Sequence, residues 1–137
     1  MSHELNGVMI LIHPPLAILG YLFTFLALKK SANLTFSKAD KDLVKDLNIS
    51  LTIAWWLTFL GLVTGMIWAQ IAWGRFWNWD PKETSTLFVF LTMTAAYILN
   101  MAKQRPLFVF IALLVNVVCI LVTISMSLVP FGLHTFG

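Results

Sequence analysis

Apolar residues fall into four long runs: Val8–Leu28, Leu51–Trp73, Ser85–Ala102 and Leu107–Val129. Each run is near the roughly 20 residues that cross a hydrocarbon core. Backbone groups find no other partners in lipid, so each run predicts a helix. The chain shows no alternation at strand period, no internal repeat and no low-complexity tract. The pattern therefore predicts an all-α integral membrane protein of four transmembrane helices, forming one membrane domain over residues 1–137.

The connections differ in kind. Residues 29–47 are polar and basic, and Ser37 followed by Asp40 predicts a capped surface helix carrying Leu43, Val44 and Leu47. Lys103-Gln104-Arg105-Pro106 predicts a tight turn between the third and fourth helices. The connection between the second and third helices, residues 73–84, is aromatic and mixed in charge.

Composition agrees with the pattern. Hydrophobic residues make up 59% of the chain, charged residues 11%, and mean hydropathy is +0.85. Soluble domains carry about 25% charged residues. These figures exclude a disordered chain, a nucleic-acid-binding domain and an ordinary cytosolic enzyme. Seven of the nine Lys and Arg residues (Lys29, Lys30, Lys38, Lys41, Lys45, Lys103 and Arg105) lie in the first and third connections. The positive-inside rule puts those connections in the cytoplasm. Both termini and the aromatic connection then face outward, together with His3, His13 and His134. A single cysteine, Cys119, excludes a disulfide framework, and no C-x-x-C-H is present to attach haem covalently. Met1-Ser2-His3-Glu4 lacks a basic leader, which predicts a retained first helix.

Four of the six tryptophans lie between Trp68 and Trp79. An interfacial aromatic belt accounts for some of them. A π-rich platform for a flat apolar ligand accounts for their density. Asp80-Pro81-Lys82-Glu83 reads as a helix start, with Asp80 the N-cap, Pro81 at the first helical position and Glu83 completing a capping box. Capping explains these carboxylates without a catalytic role.

His13 precedes Pro14-Pro15, where the helix is expected to bend or start, and His134 follows Pro130 and Gly132. Each imidazole is either an interfacial anchor or a ligand, and neutral imidazole is a common axial ligand of haem iron. Gly61-x-x-x-Gly65 offers a close approach to a neighbouring helix, while Asn100, Asn116 and the threonines are expected to hydrogen-bond between helices.

The run Trp73-Gly-Arg-Phe-Trp-Asn-Trp-Asp-Pro-Lys-Glu-Thr84 resembles the tryptophan-rich WWD signature of haem-handling cytochrome c assembly proteins, the CcsA, CcmC and CcmF group. Its ending is most similar to the CcsA (ResC) branch. Ile12-His13-Pro14-Pro15-Leu16 resembles the His-Pro-Pro-Leu segment of the CcmF branch, and Gly132-Leu133-His134-Thr135-Phe136-Gly137 resembles the Gly-Leu-His-Ser-Tyr-Gly ending of the CcsA branch.

The resemblance implies that His13 and His134 are the axial ligands of haem b. It implies that Trp73, Arg75, Phe76, Trp77, Trp79 and Asp80 belong to the loop that cradles the haem. Arg75 and Lys82, the outward cations, are the candidates to pair with propionates. Haem would be presented to an apocytochrome c or a haem chaperone at the outer face of the cytoplasmic, or equivalent energy-transducing, membrane. Family members usually have six or more crossings, and the CcsA branch has a further histidine pair within the membrane. Four crossings without that pair imply a minimal core that works with other maturation subunits, such as a ResB-like protein, as part of a haem lyase or synthetase. The alternative is a haem b electron-transfer subunit of a larger membrane complex. Ligands on one side only count against a transmembrane electron route.

Overall fold

The computed structural model describes residues 3–38 and 40–128, and these fold into four helices. They are α1 (His3–Phe36), α2 (Lys41–Trp73), α3 (Pro81–Met101) and α4 (Pro106–Leu128). All four contain segments long and apolar enough to cross a membrane, and no strand occurs among the described residues.

Two helices run beyond their apolar runs. α1 has 34 residues and α2 has 33. At 1.5 Å per residue each is about 50 Å long, against a hydrocarbon core of about 30 Å. The excess turns carry Lys29, Lys30, Lys41 and Lys45. The short surface helix expected near Leu43 is therefore the first part of α2. Its N-cap is Asp40, whose carboxylate accepts from the Asp42 N–H at 3.1 Å.

The helix does not start at Pro14-Pro15, one of the two expectations there, because α1 starts at His3 and both prolines lie inside it. Their missing N–H groups leave the carbonyls of Ile10 and Leu11 without their usual helical donors.

α1 and α2 pair closely in antiparallel register, α3 pairs with α4, and α4 closes back onto α1. Small residues set the first interface. A Cβ on Gly61 would lie 3.9 Å from the Ala17 backbone, and one on Gly20 would lie 3.4 Å from Leu57 Cβ. This is the close backbone approach that small residues allow in membrane bundles.

The apolar core lies at the end of the bundle away from the aromatic connection. Leu47, Leu51, Met93, Ala96, Val109 and Leu113 are buried there. Polar side chains add bonds between helices. Asn116 Nδ2 donates to the Val89 carbonyl at 2.7 Å and to Thr92 Oγ1 at 2.8 Å. Trp55 Nε1 donates to Thr94 Oγ1 at 2.9 Å. The Ser85 and Thr123 hydroxyls bond to each other.

Candidate functional site

At the aromatic end the helices and their connection border a half-open cavity of about 500 Å3 rather than a filled core. Cofactor and ligand sites commonly occupy about 300–1,000 Å3. α1 contributes His13, one face of α2 contributes residues from Gly61 to Trp73, the connection contributes Arg75, Phe76, Trp77, Asn78 and Asp80, and α3 contributes Lys82, Glu83 and Thr86.

The connection is shaped by its own backbone. Gly74 ends α2 in the left-handed region at φ 80°, and its N–H donates to the Gln70 carbonyl at 3.0 Å. Only glycine takes that conformation without steric cost, so the chain turns sharply after Trp73. At the far end Asp80 caps α3, its Oδ1 accepting from the Glu83 N–H at 2.7 Å. The Glu83 carboxylate does not close the expected box on the Asp80 N–H. It accepts instead from the Asn78 N–H, at 2.7 Å. The two carboxylates thereby brace the corner at Trp79, which has φ 57°. A bulky residue in that region is strained and persists only where neighbours hold it.

This arrangement yields a first expected result. Asp80→Ala lowers stability by about 1 kcal/mol, the usual worth of an N-cap, while Asp80→Asn retains the acceptor and most of the stability. Thermal unfolding in detergent measures both. An Asp80→Asn protein that folds normally but no longer handles its ligand would assign the carboxylate a chemical role beyond capping.

His13 is half-buried against α2. Its Nδ1 lies 2.9 Å from Thr64 Oγ1, and its ring meets Trp68 edge-on at 5.7 Å between centroids. A Cβ on Gly65 would approach His13 Cε1 to 3.1 Å, so the glycine leaves the imidazole its space. Gly61, Thr64, Gly65 and Trp68 follow the i, i+3, i+4, i+7 spacing of one helix face. Of this stripe the sequence singles out Gly61 and Gly65 as a close-approach motif and Trp68 as the start of the tryptophan-rich stretch; Thr64 is the residue missed, although its spacing is visible within the apolar run.

The cavity brings together six of the eight expected binding residues: His13, Trp73, Arg75, Phe76, Trp77 and Asp80. Lys82 joins them. Trp79 lies apart: its ring meets Trp77 edge-on, at 5.3 Å, but faces a second cavity of about 430 Å3 lined by Phe88, Val118, Val122 and Met126 of α3 and α4. His134 lies outside the described residues.

The donor chemistry of the cavity suits a flat, amphipathic, metal-bearing group. Indole and phenyl surfaces of Trp68, Trp73, Phe76 and Trp77 offer stacking area. Arg75 and Lys82 supply positive charge, while Asp80 and Glu83 are engaged with backbone N–H groups. The Trp77 indole Nε1 is buried with no acceptor among the described residues, so a residue of the lining carries an unmet donor. Among the described residues no group of three His, Cys, Asp or Glu side chains stands ready to cage a bare metal ion. A single imidazole beside aromatic walls fits a metal carried within a macrocycle. Haem thus fits the residues present.

A family model for cytochrome c assembly proteins matches residues 1–134. Among curated proteins, the chain is similar to the cytochrome c biogenesis protein CcsA of Prochlorococcus marinus (strain MIT 9303), with 37% identity over 93 residues. That alignment covers 64% of this chain and 28% of the relative. The CcsA proteins of Synechococcus sp. (strain WH7803) and Parasynechococcus marenigrum (strain WH8102) are 36% and 34% identical over 93 residues. Those two alignments also cover 64% of this chain, and 28% and 30% of the relatives. The chain thus spans under a third of the length of these relatives. No solved structure matches it.

Proposed function

Because the chain belongs to the cytochrome c assembly protein family, we propose that it serves cytochrome c biogenesis by holding haem b in the cavity at the aromatic end. It presents that haem at the outer membrane face to an apocytochrome or a haem carrier. The observation carrying this reading is the convergence of one imidazole, several indole faces and two cations on a single cavity. The outer placement is supported by the seven cations concentrated at the opposite end of the helices.

The residues divide the work by chemistry. His13 offers an imidazole nitrogen to the iron. His134 is the second ligand on the strength of the family resemblance. Trp73, Phe76 and Trp77 cover the apolar faces and keep water from them. Arg75 and Lys82 meet the propionates, and the orphaned Trp77 N–H is a further donor to a carboxylate. When bound, haem supplies the iron and the vinyl groups that become joined to cysteine thiols of the acceptor. A site formed at the bundle's end by a connection opens more readily than one sealed between helices, which suits release. Other maturation components in the same membrane supply the remainder of the process.

The charge assignment carries its own expected result. Arg75→Gln with Lys82→Gln weakens retention of haem by roughly tenfold or more, the least expected from losing one charge-assisted hydrogen bond of about 1.5 kcal/mol. Haem dimethyl ester, which lacks propionate charge, binds the double variant and the parent equally. Equal retention of ordinary haem by both proteins would refute the pairing.

Delivery tests the function itself. Haem-loaded protein in nanodiscs, together with its membrane partners, is mixed with a reduced apocytochrome bearing a C-x-x-C-H motif. The reading predicts haem covalently attached to the acceptor. Haem that stays with the chain through repeated reduction and oxidation, with none reaching the acceptor, would favour the electron-transfer alternative.

A further inference from the structure

We propose that Thr64 is a positioning residue that holds the His13 imidazole in the tautomer with a bare Nε2, ready to ligate iron. The proposal rests on the reading of His13 as an iron ligand. It deepens that reading by naming what prepares the ligand before haem arrives.

Thr64 Oγ1 has one proton and two lone pairs. It lies 2.8 Å from the Leu60 carbonyl and 3.2 Å from the Gly61 carbonyl, both of which only accept. The hydroxyl proton is therefore directed back along α2. The oxygen then faces His13 Nδ1, 2.9 Å away, as an acceptor. Nδ1 must carry the proton that completes this bond. A neutral imidazole has one N–H, so Nε2 keeps its lone pair. The opposite tautomer would turn the Thr64 proton toward Nδ1 and forfeit both carbonyl contacts.

The surroundings hold the ring in that pose. Gly65 leaves room for the ring edge, since a Cβ there would lie 3.1 Å from Cε1. Trp68 supports it edge-on at 5.7 Å. Thr64 stands one helical turn before Trp68, on the face of α2 that meets α1. A hydrogen bond at the non-ligating nitrogen fixes a ligand's orientation and raises its basicity. A neutral hydroxyl accepts more weakly than a carboxylate. The imidazole is thus oriented without becoming a very strong donor, which fits a site that must later surrender its cargo.

The test uses the full chain in detergent with 15N-labelled histidine. The His13 resonances are assigned by their loss in His13→Gln. Without haem, wild type is expected to show protonated Nδ1 and bare Nε2. Thr64→Val keeps the branched shape, lacks the hydroxyl and should shift the tautomer toward Nε2–H. Thr64→Ser should restore the wild-type pattern. With haem, Thr64→Val should bind about tenfold more weakly, at the lower end of the usual loss from removing a ligand's supporting bond. It should also show a raised reduction potential, and Thr64→Ser should reverse both changes. Wild-type His13 protonated on Nε2, or a tautomer unmoved by Thr64→Val, would overturn the proposal. Equal haem affinity and potential despite different tautomers would overturn it too, while leaving haem binding intact. A wild type with the expected tautomer that takes no haem would overturn the functional reading, and with it the role given to Thr64.

Discussion

Replacing His13 with glycine should abolish six-coordinate haem binding, and imidazole added to the buffer should restore it. The glycine variant removes the only imidazole that the described part of the cavity contains. It leaves a space next to Gly65, Thr64 and Trp68 that matches the lost ring. Free imidazole enters such a space and provides the missing nitrogen. Loss of an axial ligand is expected to lower haem affinity by two orders of magnitude or more, beyond the roughly 10–100-fold cost of losing a mere supporting group. Absorption spectra with and without imidazole measure both steps. Failure of rescue in a protein that remains folded would mean that His13 supports the bundle rather than the iron.

Gly65→Val should be the most damaging substitution that changes none of the residues proposed to contact haem. Its Cβ alone would press to 3.1 Å from His13 Cε1, and its methyl groups would crowd the ring further. α1 must then move away from α2 or the imidazole must leave its pose beside Thr64. Haem affinity is expected to fall by roughly 10–100-fold, as for a ligand deprived of its support. Gly65→Ala should fall between this variant and wild type. Gly7→Ala is the matched control, because a Cβ there meets nothing within 4 Å. Haem titration into each purified protein gives the ranking. Wild-type affinity in Gly65→Val would show that the ring is not held where the structure puts it.

The sequence makes some of this architecture legible and conceals the rest for physical reasons. The starts of α3 and α4 can be read from the Pro81 and Pro106 signals, and their lengths follow from the bilayer. The ends of α1 and α2 cannot be read that way, because an apolar run reports the thickness of lipid rather than the extent of the helix. Asn48 and Ser50 look like a boundary before the second apolar run. In the structure their polarity is satisfied between helices. Asn48 Oδ1 accepts from Asn100 Nδ2 at 2.5 Å, and Ser50 Oγ accepts from Lys30 Nζ at 2.8 Å. α2 passes through them unbroken.

The candidate site divides in the same manner. His13 and the aromatic connection stand out because polar and aromatic side chains are conspicuous beside apolar runs. Thr64 does not, and the places of Gly65 and Trp68 beside the ring are not legible either, because they depend on the antiparallel register that sets them against His13, 51 residues away from Thr64. Trp79 shows the limit of reading a dense motif as one surface. Its positive φ turns it from the cavity lined by Trp77, and its ring reaches the flank of α3 and α4. Neighbours in sequence need not share a site when a left-handed residue lies between them.

The most direct measurement of the central claim is a haem titration of the detergent-purified chain, followed by absorption spectra in the oxidised and reduced states. The account predicts saturable binding at one haem per chain and a six-coordinate, b-type spectrum in the reduced form. A wild-type protein that stays folded yet gains no saturable haem spectrum would contradict it.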